Sequence, residues 1–511
     1  MSASSQTEYP ILESTESISV NSQTQYQAAN QQVTPLQSHS VKYNPVNGGK
    51  FTKRSDFISF QIRPQKNTYI DGSKTVLNLK FKAKPDQGTG ATAMGIYSTR
   101  CGIQGAISQL VVTNSGNTLE FVTGYNRAYA IVSNMYASSK QMRSAPSVTD
   151  ITDDSSNGVF GRVSGVKMSA STDAVPTTGT TIECEEYECS VPISLSALFG
   201  GSSKKCIPIG KLNEPIDIKL YLTSNVNDVY MSKTSTNGVV NYDMDKSDYE
   251  ITDVSLECHQ VRFTDSVDDI VSAASGGKSL MWDCDQLSSC FNNINPTLQQ
   301  DQILLSNTQF NNVKSIMNGT YYSQQVGSTV TYASLQPGLY LYNASCDGQY
   351  LMARDVGTNA PTALHNSDAL FAANLLSITR NACDLWESGN QLSNGALYAG
   401  RHQPYDNKDK YYPTTGPSES PSCLASAFVA GQAPNKNNSA IDSDYLYTGL
   451  STLESKDMSR ELKGRNFKGK QVVMHLRRHN AVTDTTSQIY HSLLHVGCKM
   501  ILEDGMLRRE C

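Results

Sequence analysis

The sequence predicts an all-β protein made of two consecutive β-sandwiches, and three observations lead to that prediction. Its 511 residues exceed the size at which a single hydrophobic core stops growing, so two domains are expected. Short segments in which apolar and polar residues alternate with a period of two recur along the chain. Long polar loops separate these segments, and helical periodicity is confined to two short stretches. Many short strands with few helices are typical of sandwiches.

The first half of the chain contains the clearest strand patterns. Apolar and polar residues alternate strictly at 58–62 and at 77–83, as they do in half-buried strands. A hairpin is predicted where two strands, 109–113 and 118–122, flank the turn sequence Asn-Ser-Gly-Asn. A short helix is predicted at 124–136, directly after this hairpin. The other strands predicted for this half are 190–195, 216–222 and 249–263.

The second half repeats this style with shorter patterns. Apolar residues at helical spacing predict a helix at 367–383, with Ser367 as its N-cap. The long polar insertion 384–438 is predicted to be an exposed loop. The strands predicted for this half are 302–306, 338–342, 350–353, 471–476 and 489–502.

Changes in composition divide the chain into four parts. Residues 1–48 are rich in Ser, Thr, Gln and Asn and cannot bury enough apolar area alone to offset their ordering entropy. We therefore expect an extended or disordered arm that orders against a neighbouring subunit. An acidic segment that ends in the Gly-Gly-Lys sequence 276–278 predicts a linker at 266–280. The predicted domains are then 49–265 and 281–511, each an eight-stranded jelly roll with short helices in its connecting loops.

Composition and charge limit the possible classes of protein. Charged residues make up 17% of the chain, below the roughly 25% typical of soluble domains, and Ser, Thr, Asn and Gln replace them. That composition suits a surface covered by neighbouring subunits, and it suits an extracellular β-sandwich equally well. The net charge is −5 and the first basic residue is Lys42, so no cationic arm is present to neutralise nucleic acid. No apolar run of about 18 residues predicts a transmembrane helix.

The sequence also allows predictions about glycosylation and the cysteines. The opening residues MSASSQTEYP have neither a cationic start nor an apolar segment, so no secretory signal is expected. The sequons at Asn318, Asn343 and Asn437 are then expected to stay unglycosylated, because glycosylation requires the secretory pathway. The 12 cysteines form no CxxC or CxC pair, which argues against structural zinc. Free thiols, buried or exposed, are the expectation for a chain made in the cytosol.

Two histidine pairs are the candidates for a metal site. His475 and His479 lie four residues apart, as do His491 and His495, and together they would supply four imidazoles. Both segments are predicted to be strands, and no carboxylate or cysteine is patterned around them to orient the rings. We therefore predict no metal site and expect the histidines to lie at the solvent or at an interface.

Three charged stretches are candidates for a nucleic-acid, an acid–base or a calcium site. The basic segment 463–470, followed by the arginine pair 477–478, contains one aromatic residue, Phe467, which is too few for a nucleic-acid patch. A solvated loop or an intersubunit ion-pair surface is predicted there. Adjacent carboxylates at 183–189 are predicted to block pairing at a strand edge. The segment 241–246 lacks the Gly and the terminal Glu of an EF-hand loop. With no GxSxG, HExxH, Walker A or GxGxxG context, we predict no catalytic, cofactor-binding or metal residues and no enzyme.

Three stretches together carry a resemblance to a known family. The first, 57–84, contains two strands joined by a loop that ends in a turn, and the second, 109–136, contains a strand pair followed by a helix start. The third, 190–263, has the order of features that closes a first jelly roll. In this order the chain resembles the double jelly-roll major capsid proteins of the PRD1–adenovirus lineage. The resemblance covers residues 50–265, whereas 280–505 is similar in strand content alone.

The resemblance implies a structural role in a virion. It implies a homotrimer whose six jelly rolls form a pseudo-hexagonal capsomer, with neighbouring capsomers and penton or minor capsid proteins as further partners. It also implies synthesis in the host cytoplasm and a final location in the icosahedral capsid. In that lineage the genome is commonly enclosed by a separate internal membrane or core, so the coat needs no basic arm, and this agrees with an arm that lacks Lys and Arg before Lys42.

Two other functions stay open from the sequence. One is a capsid protein with a single jelly-roll shell domain and a projecting β domain, although such proteins usually carry a basic arm. The other is a carbohydrate-binding or carbohydrate-cleaving β-sandwich, which would line a groove with aromatic side chains. The chain has only two tryptophans, Trp282 and Trp386, but 26 tyrosines.

Overall fold

A computed structural model describes the protein over parts of both halves. Within the described residues the chain forms 23 strands and one α-helix, and no helix there is long and apolar enough to cross a membrane. The described residues are 37–86, 95–98, 102–136, 184, 186–193, 195–200, 205–233, 246–264, 279–294, 298, 300–306, 309–322, 339–352, 355–357, 447–451, 454–455, 462–478 and 488–511.

The described part of the first half contains β1 to β11 and the helix. The helix predicted at 124–136 is confirmed as α1, which spans Tyr125–Tyr136. The strands are β1 (Gln37–Tyr43), β2 (Lys50–Thr52), β3 (Phe57–Ile62), β4 (Thr68–Lys84), β5 (Gly95–Ser98), β6 (Ile107–Asn114), β7 (Asn117–Thr123), β8 (Tyr187–Pro192), β9 (Ile216–Leu222), β10 (Tyr230–Lys233) and β11 (Asp248–Arg262).

The described part of the second half contains β12 to β23. The strands are β12 (Ser279–Ile294), β13 (Gln300–Leu304), β14 (Val313–Tyr322), β15 (Leu339–Cys346), β16 (Gln349–Tyr350), β17 (Val356–Gly357), β18 (Tyr447–Ser451), β19 (Glu454–Ser455), β20 (Leu462–Lys463), β21 (Val472–Arg478), β22 (Gln488–Glu503) and β23 (Met506–Glu510).

Each half forms two main antiparallel sheets. In the first half one sheet has the order β1–β11–β4–β8, with β2 continuing along β11 after β1 ends, and the other has the order β3–β9–β6–β7. In the second half the orders are β12–β22–β14–β18 and β13–β21–β15–β16, with β23 added to β22 and β17 to β15. Two small sheets, β5 with β10 and β19 with β20, are additions to this frame.

The two halves have the same topology. When β1 and β2 count as one strand and the added strands are omitted, each half has eight strands in chain order. In both halves the first sheet places them in the order first, eighth, third, sixth, and the second in the order second, seventh, fourth, fifth. This is the arrangement of an eight-stranded jelly roll. The predicted fold, two consecutive jelly-roll sandwiches, is therefore confirmed for both halves.

Alternation along the strands determines which side chains form the cores. On β4, Leu77, Leu79 and Phe81 are buried, while Asn78 and Lys80 between them face the other side of the sheet. Ile216 and Leu220 on β9 are buried in the same alternating way. Each such side chain stabilises the fold by about 1.5–3 kcal/mol when it leaves water. A slip of one residue would turn these side chains outward, so burial fixes the register.

The predicted arm and linker lie largely outside the described residues. Residues 1–36 of the predicted arm 1–48 fall outside them, whereas residues 37–43 form β1 and pair with β11. Most of the predicted linker 266–280 also falls outside them, and its last two residues begin β12. The division of the chain into these four parts therefore stays a prediction.

Three predicted elements of the second half differ from the structure or lie outside the described residues. Helix 367–383 and loop 384–438 lie outside the described residues. The predicted strand 350–353 is wrong in length, because β16 includes only its first residue. The side chain of Asn343 explains this: its Oδ1 accepts a hydrogen bond from Met352 N at 3.3 Å, and its Nδ2 donates to Met352 O at 3.2 Å. These bonds replace a ladder partner for that part of the backbone.

Candidate functional site

The two sandwiches meet at a junction formed by the edge of one and a face of the other. Edge strand β7 and helix α1 of the first sandwich lie against β12, β14 and β23 of the second. Strand β7 ends at Thr123, and the backbone turns into α1 at Gly124, where φ is +60°. A Cβ at this position would lie closer than 3.0 Å to the ring of Phe291 on β12. Glycine is therefore required both by the turn and by the close approach of the aromatic ring.

His491 lies beneath Phe291 at this junction. The two residues are directly paired between β12 and β22, and their rings stack with centroids 4.2 Å apart. His491 is fully buried, and burial together with the nearby charge of Arg127 lowers its pKa to about 3. The imidazole is therefore neutral near pH 7 and acts as a flat aromatic surface in the contact.

A buried ion pair holds the start of α1. Arg127 Nη2 lies 3.0 Å from Asp228 Oδ1, and both side chains are about nine-tenths buried. Thr223 Oγ1 donates a further hydrogen bond to Asp228 Oδ2 at 3.1 Å. Burial raises the pKa of Asp228, and the charge of Arg127 opposes that rise. The pair ties α1 to the segment around Asp228 and so orients the helix that lies against the second sandwich. Removing one partner would leave a buried charge without its counterion.

A second polar group of the junction surrounds Glu120 on β7. Its fully buried carboxylate accepts hydrogen bonds from Ser196 Oγ at 2.7 Å and from Leu198 N at 2.6 Å. Burial raises the pKa of Glu120 to about 7, while these hydrogen bonds and the charge of Arg509 act to lower it. Arg509 Nη1 donates to Gln286 Oε1 at 2.8 Å, so β23 and β12 both belong to this group.

The last hairpin of the chain, β22 with β23, reaches back to the first sandwich, and we call its described end at β23 the C-terminal clasp. Asn114 Oδ1 accepts a hydrogen bond from Leu507 N at 2.8 Å, and Asn117 Nδ2 donates to Leu507 O at 3.2 Å. Asn213 N donates to Gly505 O, in the turn of the hairpin, at 2.9 Å. Main-chain groups of the clasp are thus satisfied by the first sandwich, which fixes the two sandwiches relative to each other.

A disulfide closes the clasp and corrects one prediction from the sequence. Cys498 on β22 is bonded to Cys511, which follows β23, with Cα atoms 4.4 Å apart. The expectation of free thiols is wrong for this pair, because the hairpin brings two residues 13 apart in sequence to opposite positions. No short-spacing motif in the sequence signalled it. Cysteines with free thiols include Cys184, Cys206, Cys258, Cys284 and Cys290.

The three candidate histidines that the structure describes, His475, His491 and His495, are not brought together into one site. His475 lies on β21, where its Nε2 is 2.8 Å from Ser345 Oγ, while His491 and His495 lie on β22 in the other sheet. His479 is outside the described residues. The expectation of solvent exposure is wrong for His491 and His495, which are fully buried, although His491 does lie at an interface. Within the described ranges, no group of three or more His, Cys, Asp or Glu residues is placed to hold a metal ion.

Buried His495 has Asp285 as a neighbour. His495 Nε2 lies 3.5 Å from Asp285 Oδ2, and Lys314 Nζ forms an ion pair with the other carboxylate oxygen. Burial would raise the pKa of Asp285, but His495 and Lys314 outweigh that effect and hold it far below its usual range. This is a structural ion-pair group that joins three neighbouring strands of one sheet.

The charged stretches occupy surface positions. Among the described strands, β8 lies at the edge of its sheet and exposes Glu188 there, which is consistent with carboxylates that block edge pairing. In the basic segment Lys468 is exposed, whereas Phe467 is fully buried beneath it. Residues 241–245 of the weak calcium candidate lie outside the described residues.

Two of the three sequons are buried. The side chains of Asn318 and Asn343 are 0% and 2% exposed, so the folded protein presents neither to solvent. Asn437 and Trp386 lie outside the described residues, and Trp282 is half-buried against the core.

The sequence reasoning missed the residues that form the junction. Glu120 had a detectable signal, because it stands between Leu119 and Phe121 in an otherwise apolar strand. Gly124 and Arg509 had none, since each has its partner, Phe291 and Leu119 respectively, in the other half of the chain.

Comparisons with known proteins were informative at the level of structure. No protein-family model matches the sequence, and no curated protein matches it. A chain in the cryo-electron microscopy structure of the Sputnik virophage is 12% identical, with a TM-score of 0.54 over 96% of this chain and 92% of that one. The Faustovirus major capsid protein is 10% identical, with a TM-score of 0.52 over 93% of each chain. At this identity the similarity establishes the fold, which is the double jelly roll.

Proposed function

We propose that the chain is a viral major capsid protein that forms homotrimers and assembles an icosahedral shell. The observation that carries the proposal is the presence of two jelly rolls of identical strand order on one chain. Three copies would supply six equivalent sandwiches, which suits a pseudo-hexagonal capsomer. The similarity to the Faustovirus major capsid protein extends over both sandwiches, which supports the same role here.

The junction supports this role because a shell subunit needs its two sandwiches in a fixed relation. Three contacts act together across it: Phe291 packs on Gly124, Arg509 donates to the main-chain oxygen of Leu119, and Leu507 donates to Asn114. A flexible linker alone would allow the sandwiches to rotate, and the capsomer geometry would be lost.

The alternative functions are less well supported. A protein with a single shell domain and a projecting β domain is not expected to have the same strand order in both halves, as this chain does. A carbohydrate-binding sandwich would need an aromatic groove, whereas a cleft of about 700 Å³ on the first sandwich has a charged and polar lining without aromatic residues. We infer a structural rather than a catalytic role.

The partners follow from this proposal. Neighbouring capsomers would contact the sandwich flanks, and penton or minor capsid proteins would complete the shell. The arm 1–48 would act between subunits, and the genome would lie within a separate core or internal membrane, since the first basic residue is Lys42. The protein would be made in the host cytoplasm and function in the virion.

The experiment is a direct measurement of oligomeric state. The full chain, with a mass of 55.7 kDa, is purified and examined by light scattering and by electron microscopy. We expect three times the monomer mass and particles with a hexagonal outline. A chain that stays monomeric at all concentrations and forms no particles would contradict the proposal.

The role of the arm is tested separately. Deletion of 1–36 leaves β1 intact, so trimers are expected to form but not to close into shells. Normal shells from this variant would exclude the arm as an assembly element.

A further inference from the structure

Three cysteines of the second sandwich lie in one row across three strands. Cys284 on β12 is directly paired with Cys498 on β22. The register of β22 with β23, in which Lys499 is paired with Glu510, brings Cys511 to the other side of Cys498, and the disulfide joins these two residues. Directly paired side chains lie on the same face of an antiparallel sheet, so the three cysteine side chains share one face.

This row gives Cys284 the position of an attacking thiol. Residues 499–503 pair with β12 along one edge of β22 and with β23 along the other, so Cys284 and Cys511 lie on opposite sides of Cys498. Directly paired residues of antiparallel strands have Cα atoms about 4.5–5.5 Å apart, within the roughly 4.4–6.8 Å that a disulfide spans. A disulfide between Cys284 and Cys498 therefore fits the present strand pairing.

Burial keeps the Cys284 thiol unreactive in the folded protein. The side chain is 5% exposed and its thiol is free. Burial raises the pKa of Cys284 to about 12, the charges of Glu120 and Asp285 act in the same direction, and the charge of Arg509 opposes them. Since the thiolate is the nucleophile in disulfide exchange, a thiol with this pKa attacks very slowly at neutral pH.

The first sandwich contributes to this protection. Strand β7, which carries Glu120, lies against β12 and β23. Arg509 Nη1 donates to the main-chain oxygen of Leu119 on β7 at 3.1 Å and to Oε1 of Gln286, two residues from Cys284, at 2.8 Å. Separation of the two sandwiches would therefore let water reach Cys284 and bring its pKa back toward the ordinary value for a thiol.

We propose that Cys284, Cys498 and Cys511 form a thiol–disulfide exchange site that becomes active when the two sandwiches separate. The Cys284 thiol loses its proton to solvent, and its sulfur attacks Cys498 Sγ. The Cys284–Cys498 bond forms as the Cys498–Cys511 bond breaks, and Cys511 leaves as a thiolate that takes up a proton. One disulfide replaces another, so the step needs no oxidant and no reductant.

The exchange would release the C-terminal clasp. In the folded chain the Cys498–Cys511 bond fastens the end of β23, and Leu507 and Arg509 of that strand bond to the first sandwich. The new bond would lie between β12 and β22, within the second sandwich, and would leave β23 without a covalent link to β22. A single opening of the junction would thus be converted into a lasting loss of the clasp. This inference goes beyond the proposed function and does not depend on it.

Disulfide mapping of the full chain tests the exchange. Thiols that react in the folded protein, among them the exposed Cys206, are first blocked with N-ethylmaleimide. The reagent is removed, the protein is held in subdenaturing urea at pH 8, and new thiols are trapped with iodoacetamide. Peptic digestion in acid and mass spectrometry without reduction then identify the bonded pairs. We expect the Cys498–Cys511 pair before urea, and the Cys284–Cys498 pair with alkylated Cys511 after it.

Cys284→Ser and Cys290→Ser form a matched pair of variants. Both residues are buried free thiols on β12, but Cys290 is paired with a serine, Ser492, where Cys284 is paired with a cysteine. Cys284→Ser is expected to lower the labelling of Cys511 at least tenfold, whereas Cys290→Ser is expected to label as the unaltered chain does.

Loosening of the junction gives a second readout. Gly124→Ala places a methyl group against Phe291, and Gly116→Ala is its control because nothing lies within 4 Å of the added carbon. In the same urea, Cys511 of the Gly124 variant is expected to be labelled at least fivefold faster. Equal rates, undiminished labelling in Cys284→Ser, or an intact Cys498–Cys511 bond after opening would each overturn the inference. None of these results bears on whether the chain forms trimers.

Discussion

Arg509 Nη1 donates a hydrogen bond at 3.1 Å to the main-chain oxygen of Leu119, which lies 390 residues earlier in the chain. The bond joins the last strand of the second jelly roll to the edge strand of the first. Its two ends are far apart in sequence, so the bond is a long-range contact between the two halves of the chain. The four predictions that follow concern this junction.

Gly124→Ala is expected to destabilise the protein through the junction. The new methyl group would meet the ring of Phe291 and would also sit in a left-handed backbone conformation. Gly116→Ala is the matched control, since that residue has φ of +78° but nothing within 4 Å of the added carbon. We expect the Gly124 variant to lose about 1–3 kcal/mol more unfolding free energy than the control, as overpacking requires. Equal losses in urea denaturation would show that Phe291 does not confine this position.

Glu120→Gln is expected to change the pH dependence of stability. The pKa of Glu120 is raised to about 7 in the folded protein from 4.5, so the folded state binds the extra proton in that range. Its contribution is therefore complete below pH 4.5 and is lost as the pH rises through 7, by about 3 kcal/mol in total. Glutamine keeps the shape and the acceptor oxygen but does not titrate. Unfolding free energies measured from pH 4.5 to 8 should differ in slope between the two proteins, and parallel curves would contradict this.

His491→Phe is expected to remove an acid sensitivity. The pKa of His491 is lowered to about 3 from 6.5, so below pH 6.5 the unfolded chain binds a proton that the folded protein does not. The unfolding free energy is therefore unaffected by this group above pH 6.5. It falls by about 1.4 kcal/mol per pH unit as the pH drops from there toward 3. Phenylalanine keeps the stack on Phe291 without titrating. Thermal unfolding between pH 4 and 7 should show a shallower acid limb in the variant, and an unchanged limb would place the sensitivity elsewhere.

Reduction of the Cys498–Cys511 disulfide is expected to loosen the C-terminal clasp. The bridge closes a loop between residues 13 apart, and a loop of that size is worth about 3 kcal/mol of chain entropy. A reductant should lower the melting temperature of the unaltered chain and leave that of Cys511→Ser unchanged. Cys206→Ser, which removes an exposed free thiol, should respond to reductant as the unaltered chain does. If Cys511→Ser has the same melting temperature as the oxidised unaltered chain, the stability of the clasp does not depend on the disulfide.

Local patterns were sufficient to predict most strands of the first sandwich, although β1 fell within the predicted arm. The alternation at 77–83 records which side chains of β4 face the core, and the structure buries Leu77 and Phe81 accordingly. The turn sequence 114–117 marked the hairpin of β6 and β7 for a similar reason, since its conformation depends on a few adjacent residues. Such signals are readable because their physical cause lies within the segment itself.

The functional junction depended on the tertiary structure. The sequence determined the all-β class, the number of sandwiches and the lack of basic residues before Lys42. It did not reveal that β22 is buried on both faces from Tyr490 to Cys498, which is why its histidines were expected at the solvent or at an interface. One face of a strand is covered by its own sandwich, but what covers the other is decided by residues hundreds of positions away. Alternation encodes the first of these contacts, whereas the second depends on partners distant in sequence, such as Phe291 stacked on His491 and Asp285 beside His495.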